Sequence, residues 1–229
     1  MLIGGFQKFS MIDYPNRISA IIFTQGCNFR CPYCHNPELV DPSRMKSPLD
    51  NEKILSFLRT RKTKLDAVCI TGGEPTLQPD LVDFCREIKE MGYLVKLDTN
   101  GSQPHILEEL CVYKLIDFVA MDIKAPLDRY EWVTQVPVPE GVIMKSIEIL
   151  RKFRKEREFR TTVVHPLLGL ADIEKIVALF IRGETYCLQK YAGKQTLDSN
   201  PKQYQPFSTM LMHAVSQKAV PQGVNLILR

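Results

Sequence analysis

Short apolar runs alternate with amphipathic stretches along most of the chain. Six runs have strand length: "ISAIIFTQ" (18–25), "DAVCITGG" (66–73), "YLVKLDTNG" (93–101), "IDFVAMDIK" (116–124), "FRTTVVHP" (159–166) and "ETYCLQK" (184–190). Most are apolar on consecutive positions, the pattern of strands buried on both faces. Between them, apolar positions return with helical spacing. In "SPLDNEKILSFLRT" (47–60) Ser47 can cap, Pro48 suits the first turn and Asp50 sits where a capping box places an acid. Ile54, Leu55 and Leu58 then form the stripe. In "PDLVDFCREIKEMG" (79–92) the stripe is Leu81, Phe84, Cys85 and Ile88, with Gly92 as the stop. "GVIMKSIEILRKF" (141–153) repeats the pattern, and weaker helices fit 103–112, 171–182 and 207–218.

Strand followed by helix, six times over, predicts an α/β fold with a parallel sheet and right-handed crossovers. An open doubly wound sheet and a curved, incomplete barrel both fit this periodicity. In either, chemistry gathers at the carboxyl ends of the strands. The unusual polar residues lie there: Thr24 to Cys34, Thr71 to Pro75, Asp98 to Gly101, and Asp122 with Lys124.

Composition narrows the function class. A chain of 229 residues, 45% hydrophobic and 24% charged, supports one sizeable core. Net charge is +4 with the two signs interspersed, so nothing resembles a nucleic-acid arm or an anionic-membrane anchor. The densest charge run, "RKFRKERE" (151–158), reads as a solvated helix end. No apolar stretch reaches the ~18 residues of a membrane span, and the N-terminus carries no signal-peptide pattern. The expected compartment is therefore the cytoplasm, where thiols stay reduced and clustered cysteines point to metal or redox chemistry.

Three of the seven cysteines, Cys27, Cys31 and Cys34, fall within "TQGCNFRCPYCHNPEL" (24–39). The others, Cys69, Cys85, Cys111 and Cys187, stand singly in apolar contexts and read as buried small hydrophobes. Gly26 and Pro32 help the loop turn, so that C-x3-C-x2-C can face one metal centre. Two readings of the spacing stay open. A Cys3His zinc site would add His35, although consecutive side chains diverge and His105, His165 and His213 lie far downstream. A [4Fe–4S] cluster held through three irons would leave the fourth iron open to a substrate or cofactor.

With Tyr33 as the aromatic, C-x3-C-x-aromatic-C resembles the motif of the radical S-adenosylmethionine (SAM) superfamily, and "TGGEP" (71–75) resembles its SAM-ammonium motif. "GCNFRCPYCHN" is similar to the glycyl-radical-enzyme activases, and the run 6–40 most resembles the anaerobic ribonucleoside-triphosphate reductase activating proteins. The resemblance spans about residues 4–190. It implies an incomplete (β/α)6 TIM-type barrel of parallel strands. It further implies one domain over 1–229, with its core at about 16–190 and an extension, 192–229, of unassigned role.

Function and site residues follow from the same resemblance. Cys27, Cys31 and Cys34 would hold the cluster, and SAM would bind the open iron through its amino and carboxylate groups. One electron would then yield a 5′-deoxyadenosyl radical, which takes a hydrogen atom from a glycine of a partner enzyme. Carbonyls of Gly72 and Gly73 and the Glu74 carboxylate would accept from the SAM ammonium. Asp98 would contact the SAM region and share a monovalent cation with Asp122, and Lys124 would neutralise the SAM carboxylate. Val163 and Val164 would pack near the adenine, with Tyr33 at its edge or beneath the loop. Asp13, in "SMIDYP" (10–15), would hydrogen-bond the incoming glycyl loop. The implied partners are a glycyl radical enzyme, the anaerobic reductase foremost, and a flavodoxin- or ferredoxin-type electron donor. Formate-lyase as the target, a small-molecule substrate, and a zinc-stabilised binding module are the alternatives. Two features depart from relatives within the family. The histidine that formate-lyase activases carry near the sixth strand end is replaced by "LQKY" (188–191), and residues 35 to 68 add no further cysteine.

Overall fold

The computed structural model describes residues 1–139, 141–153, 155–193, 195–219 and 223–229. Its first strand is one that the hydropathy pattern does not predict. β1 (Ile3–Tyr14) turns back through Asn16, at φ 57°, and pairs antiparallel with β2 (Arg17–Thr24). Parallel strands follow: β3 (Ala67–Gly72), β4 (Leu94–Thr99), β5 (Phe118–Asp122), β6 (Glu156–His165) and β7 (Thr185–Lys190). All six predicted strands form.

The connecting helices are α1 (Pro37–Val40), α2 (Asn51–Arg59), α3 (Leu81–Glu90), α4 (Pro104–Val112), α5 (Tyr130–Thr134), α6 (Val142–Lys152) and α7 (Leu170–Val177). Helix α2 starts later than its sequence suggests. Asp50, rather than Ser47, is the N-cap, and its carboxylate accepts from the backbone N–H groups of Glu52 and Lys53. Two cap bonds outweigh the preference for proline in the first turn. Helix α3 ends where predicted, with Gly92 at φ 90°. The apolar stripes of these helices pack on the outer face of the sheet, giving one main core.

Strand order settles the choice of architecture. It runs β1-β2-β3-β4-β5-β6-β7 and then β9 (Asn225–Leu228), in chain order throughout, with β8 (Gln205–Pro206) off the path against β6. A doubly wound sheet reverses direction at a switch point. An order that never reverses curls into a barrel, here an incomplete one whose edges are β1 and β9. A small second cluster fills the inside, where Tyr14 and Phe118 meet at 5.8 Å between ring centroids.

The C-terminal extension is part of this sheet. After α8 (Thr209–Ala219), β9 (Asn225–Leu228) pairs parallel with β7. Arg229 then reaches inward and donates to both oxygens of the buried Glu158 carboxylate, at 3.0 and 2.9 Å. Arg229→Ala is expected to leave that carboxylate without its guanidinium and lower stability by about 1–3 kcal/mol. Urea denaturation of the two proteins checks it. Among the described residues, no helix is long and apolar enough to cross a membrane.

Candidate active site

The cysteine loop leaves β2 at Thr24, and backbone hydrogen bonds fix it from several sides. Gly26 N–H donates to Leu39 O at 2.7 Å, Arg30 N–H to Thr134 O at 2.8 Å and Asp198 N–H to Pro32 O at 3.0 Å. The last of these comes from the C-terminal extension. Held this way, Cys27, Cys31 and Cys34 all line one cleft of about 230 Å³ at the carboxyl ends of the strands. Burial raises all three thiol pKa values, Cys31 to about 12 and Cys27 to about 11. The Lys124 ammonium acts on each in the opposite sense. Asn100 reaches the Cys27 sulfur at 3.9 Å through Nδ2, and the Phe29 N–H reaches it at 3.4 Å.

The "TGGEP" turn is fastened to the start of this loop. Gly73 N–H donates to Thr24 O at 2.9 Å and Glu74 N–H to Gly26 O at 2.8 Å. A Cβ on Gly73 would lie 2.0 Å from Gly26 O, and one on Gly72, at φ 116°, would lie 2.4 Å from Thr24 N. Both glycines therefore let two backbones touch. The Glu74 carboxylate, expected to face a ligand, works mainly inside the protein. Its Oε1 accepts from Thr76 N–H, Thr76 Oγ1 and Thr99 Oγ1, while Oε2 accepts from Asn100 N–H at 2.6 Å. Oε2 keeps acceptor capacity for one further donor. Burial raises the Glu74 pKa, and the hydrogen bonds from Thr76 and Asn100 offset part of that.

A buried ionic chain crosses the floor of the cleft, and it corrects one expectation. Asp98 and Asp122 are the pair expected to share a monovalent cation. Arg160, on β6, occupies that position: Nε donates to Asp122 Oδ1 at 2.8 Å and a terminal nitrogen donates to Asp98 Oδ2 at 3.2 Å. The remaining oxygens are taken by Lys124, 2.9 Å from Asp122 Oδ2, and by Lys96 on Asp98 Oδ1. Burial by itself would raise both carboxyl pKa values. Arg160 with Lys96 for Asp98, and Arg160 with Lys124 for Asp122, reverse that and hold both below their ordinary range. Burial likewise opposes the charge on Lys124, yet Asp122 and its neighbours carry its pKa well above normal.

Two further expected residues, Asp13 and Val164, lie outside the lining of the cleft. Asp13 lies near the hairpin turn, one residue before Tyr14, which pairs with Arg17. The cysteine loop leaves from Thr24, at the other end of the eight-residue β2, roughly 20 Å away. Asp13 accepts from Ser10 Oγ and does not line the cleft. Val164 is fully buried, pairs with Pro206 of β8 and does not line the cleft. Thr162, two residues earlier on the same strand, lines the cleft instead, as does Gln189. His35 lines the cleft with its ring 5.1 Å from that of Tyr191. Burial and Lys124 lower the His35 pKa.

The family model "Radical SAM superfamily" matches residues 21–180, and the chain belongs to that superfamily. A Methanocaldococcus jannaschii protein named as a glycyl-radical enzyme activating enzyme is 38% identical over 207 residues, 88% of this chain and 84% of that one. Within the superfamily, the chain thus falls with the glycyl-radical enzyme activating enzymes. The pyruvate formate-lyase-activating enzyme of Clostridium pasteurianum is 35% identical over 138 residues, 58% of this chain and 56% of that one. Among solved structures, Streptococcus suis SuiB bound to S-adenosylmethionine superposes with a TM-score of 0.68 at 16% identity. That match covers 91% of this chain and 49% of SuiB, and it shows the shared fold.

Enzymes of this superfamily use a [4Fe–4S] cluster and SAM. The residues present fit both groups. Cys27, Cys31 and Cys34 of one loop line a single cleft, so three sulfurs can each bind a different iron of a cluster. Tyr33 lines the same cleft, and its buried hydroxyl has no protein partner. Lys96, Lys124 and Arg160 together exceed the two carboxylates they contact, leaving positive charge to face a carboxylate ligand.

Proposed function

We propose that the chain is the activase of anaerobic ribonucleoside-triphosphate reductase, installing a radical on a glycine of that enzyme. One observation carries the reading: three cysteines of a single loop line a cleft in a barrel that stops short of closure, with β1 and β9 as its edges. A closed barrel would leave no lateral path for a macromolecular substrate. Phe9, Met11 and Ile12 are exposed on β1, as an edge that meets a protein partner requires. The choice of the reductase rests on the run 6–40.

Cys27, Cys31 and Cys34 would hold the cluster, which supplies one electron for reductive cleavage of bound SAM. Glu74 Oε2, with its spare acceptor capacity, would take the SAM ammonium, beside the carbonyls of Gly72 and Gly73. Lys124 would face the carboxylate, and Tyr33, Thr162 and Gln189 would line the space left for the nucleoside. The electron would come from a flavodoxin- or ferredoxin-type protein. All seven cysteines are free, which suits a reducing compartment such as the cytoplasm.

Formate-lyase is the second reading, supported by the 35% identity to the Clostridium pasteurianum enzyme. Anaerobic incubation of the reduced protein and SAM with each candidate, followed by electron paramagnetic resonance, separates the two. A glycyl radical is expected on the reductase and not on formate-lyase. A radical on formate-lyase alone reassigns the target. Turnover of a small molecule with no radical on either protein removes the activase reading.

A further inference from the structure

The position between Asp98 and Asp122 is filled by a group that belongs to the chain. Arg160 and Asp122 are register partners on β6 and β5, so the guanidinium is delivered to this position by the sheet itself. It joins the two carboxylates through separate nitrogens, at 2.8 Å to Asp122 and 3.2 Å to Asp98. Lys124 and Lys96 take the two oxygens that remain. Every carboxylate oxygen thus meets a protein cation, whereas a hard metal cation needs several oxygens of its own. A guanidinium also keeps its charge at all working pH values, and its planar fork spans two acceptors that an ammonium cannot. A further cation here would enter a cluster in which positive charge already exceeds negative.

We propose that Arg160 is a built-in counter-cation, replacing a potassium or sodium ion between Asp98 and Asp122, so that SAM binds without any monovalent metal. Arg160 acts through the two carboxylates and Lys124, which makes it a positioning residue. The inference rests on reading the cleft as the SAM site.

The test measures SAM binding to the cluster-loaded protein by anaerobic equilibrium dialysis. It compares potassium chloride with tetramethylammonium chloride at equal ionic strength. Wild-type affinity is expected to differ by less than threefold between the salts. Arg160→Met is expected to lose at least tenfold in tetramethylammonium and to regain most of it in potassium. A merely structural arginine would not be replaced by a potassium ion. A threefold or greater loss by the wild type in tetramethylammonium overturns the proposal, as does an Arg160→Met protein whose binding is unchanged or is not restored by potassium. The wild-type comparison stands even if the variant fails to fold. Absence of binding in both salts overturns the SAM-site reading and this proposal with it, whereas binding that requires potassium overturns the proposal alone.

Discussion

Cys31→Ala is expected to give a folded, colourless protein. Anaerobically purified wild-type protein should be brown and carry about four irons and four sulfides per chain. The variant should carry less than one iron. The effect is large because the three sulfurs line one cleft, and a cluster held through three cysteines loses a third of its protein ligands with Cys31. Removing one thiol leaves a two-cysteine remnant, too few to retain the cluster. The fold should persist. A buried cysteine behaves as a small hydrophobe, and the loop keeps its backbone bonds to Leu39, Thr134 and Asp198. Iron and sulfide assays with a circular dichroism spectrum test both halves. A variant that keeps full iron content would remove Cys31 from the ligand set.

Gly73→Ala should have nearly as large an effect by a different route. The added Cβ would lie 2.0 Å from Gly26 O and 2.7 Å from Gly26 C. Both are backbone atoms, so no side-chain rotation relieves the overlap, and the two chains must separate. Overpacking of this kind costs about 1–3 kcal/mol. In a protein of this size that lowers the thermal midpoint by roughly 3–10 °C. The displaced residue, Gly26, immediately precedes Cys27, so iron content should fall as well. Calorimetry and an iron assay on one preparation measure the two losses together. Unchanged values for both would show that the contact between the two turns does not set the loop.

Much of the scaffold was legible because its strands are apolar on consecutive positions. Runs such as "ISAIIFTQ" and "DAVCITGG" carry enough apolar residues to satisfy the core and the barrel interior at once. β1 lacked that mark. As an edge strand it needs burial on few positions, and Phe9, Met11 and Ile12 stay exposed. β9 is likewise an edge, and only its pairing with β7 makes it a strand. The cysteine loop was legible because spacing within a loop survives without tertiary knowledge. Arg160 was not, since one arginine in "FRTTVVHP" reads as an outward-facing residue. A signal did exist: Lys96, Asp98, Arg160 and Thr162 place polar groups two apart within otherwise apolar strands, the mark of a polar barrel interior. Asp13 lies outside the cleft lining for a related reason. Its sequence lies near the cysteine loop, but the hairpin carries it to the opposite end of β2.

Of the groups that line the cleft, Glu74 has a structural role beside the binding role proposed for it. Its carboxylate ties the end of β3 to the end of β4 through Thr99 and Asn100, while Oε2 keeps room for one donor. Removing it would disturb the turn as well as the proposed contact to the ligand. Activity of Glu74 variants alone therefore does not separate the two roles, whereas Cys31→Ala separates cluster loading from fold.

The most direct measurement is the quantity of 5′-deoxyadenosine released from SAM by the cluster-loaded, chemically reduced protein under anaerobic conditions. Reductant-dependent release, lost in Cys31→Ala, is the predicted result. No release from a protein carrying its full complement of iron and sulfide would contradict the account.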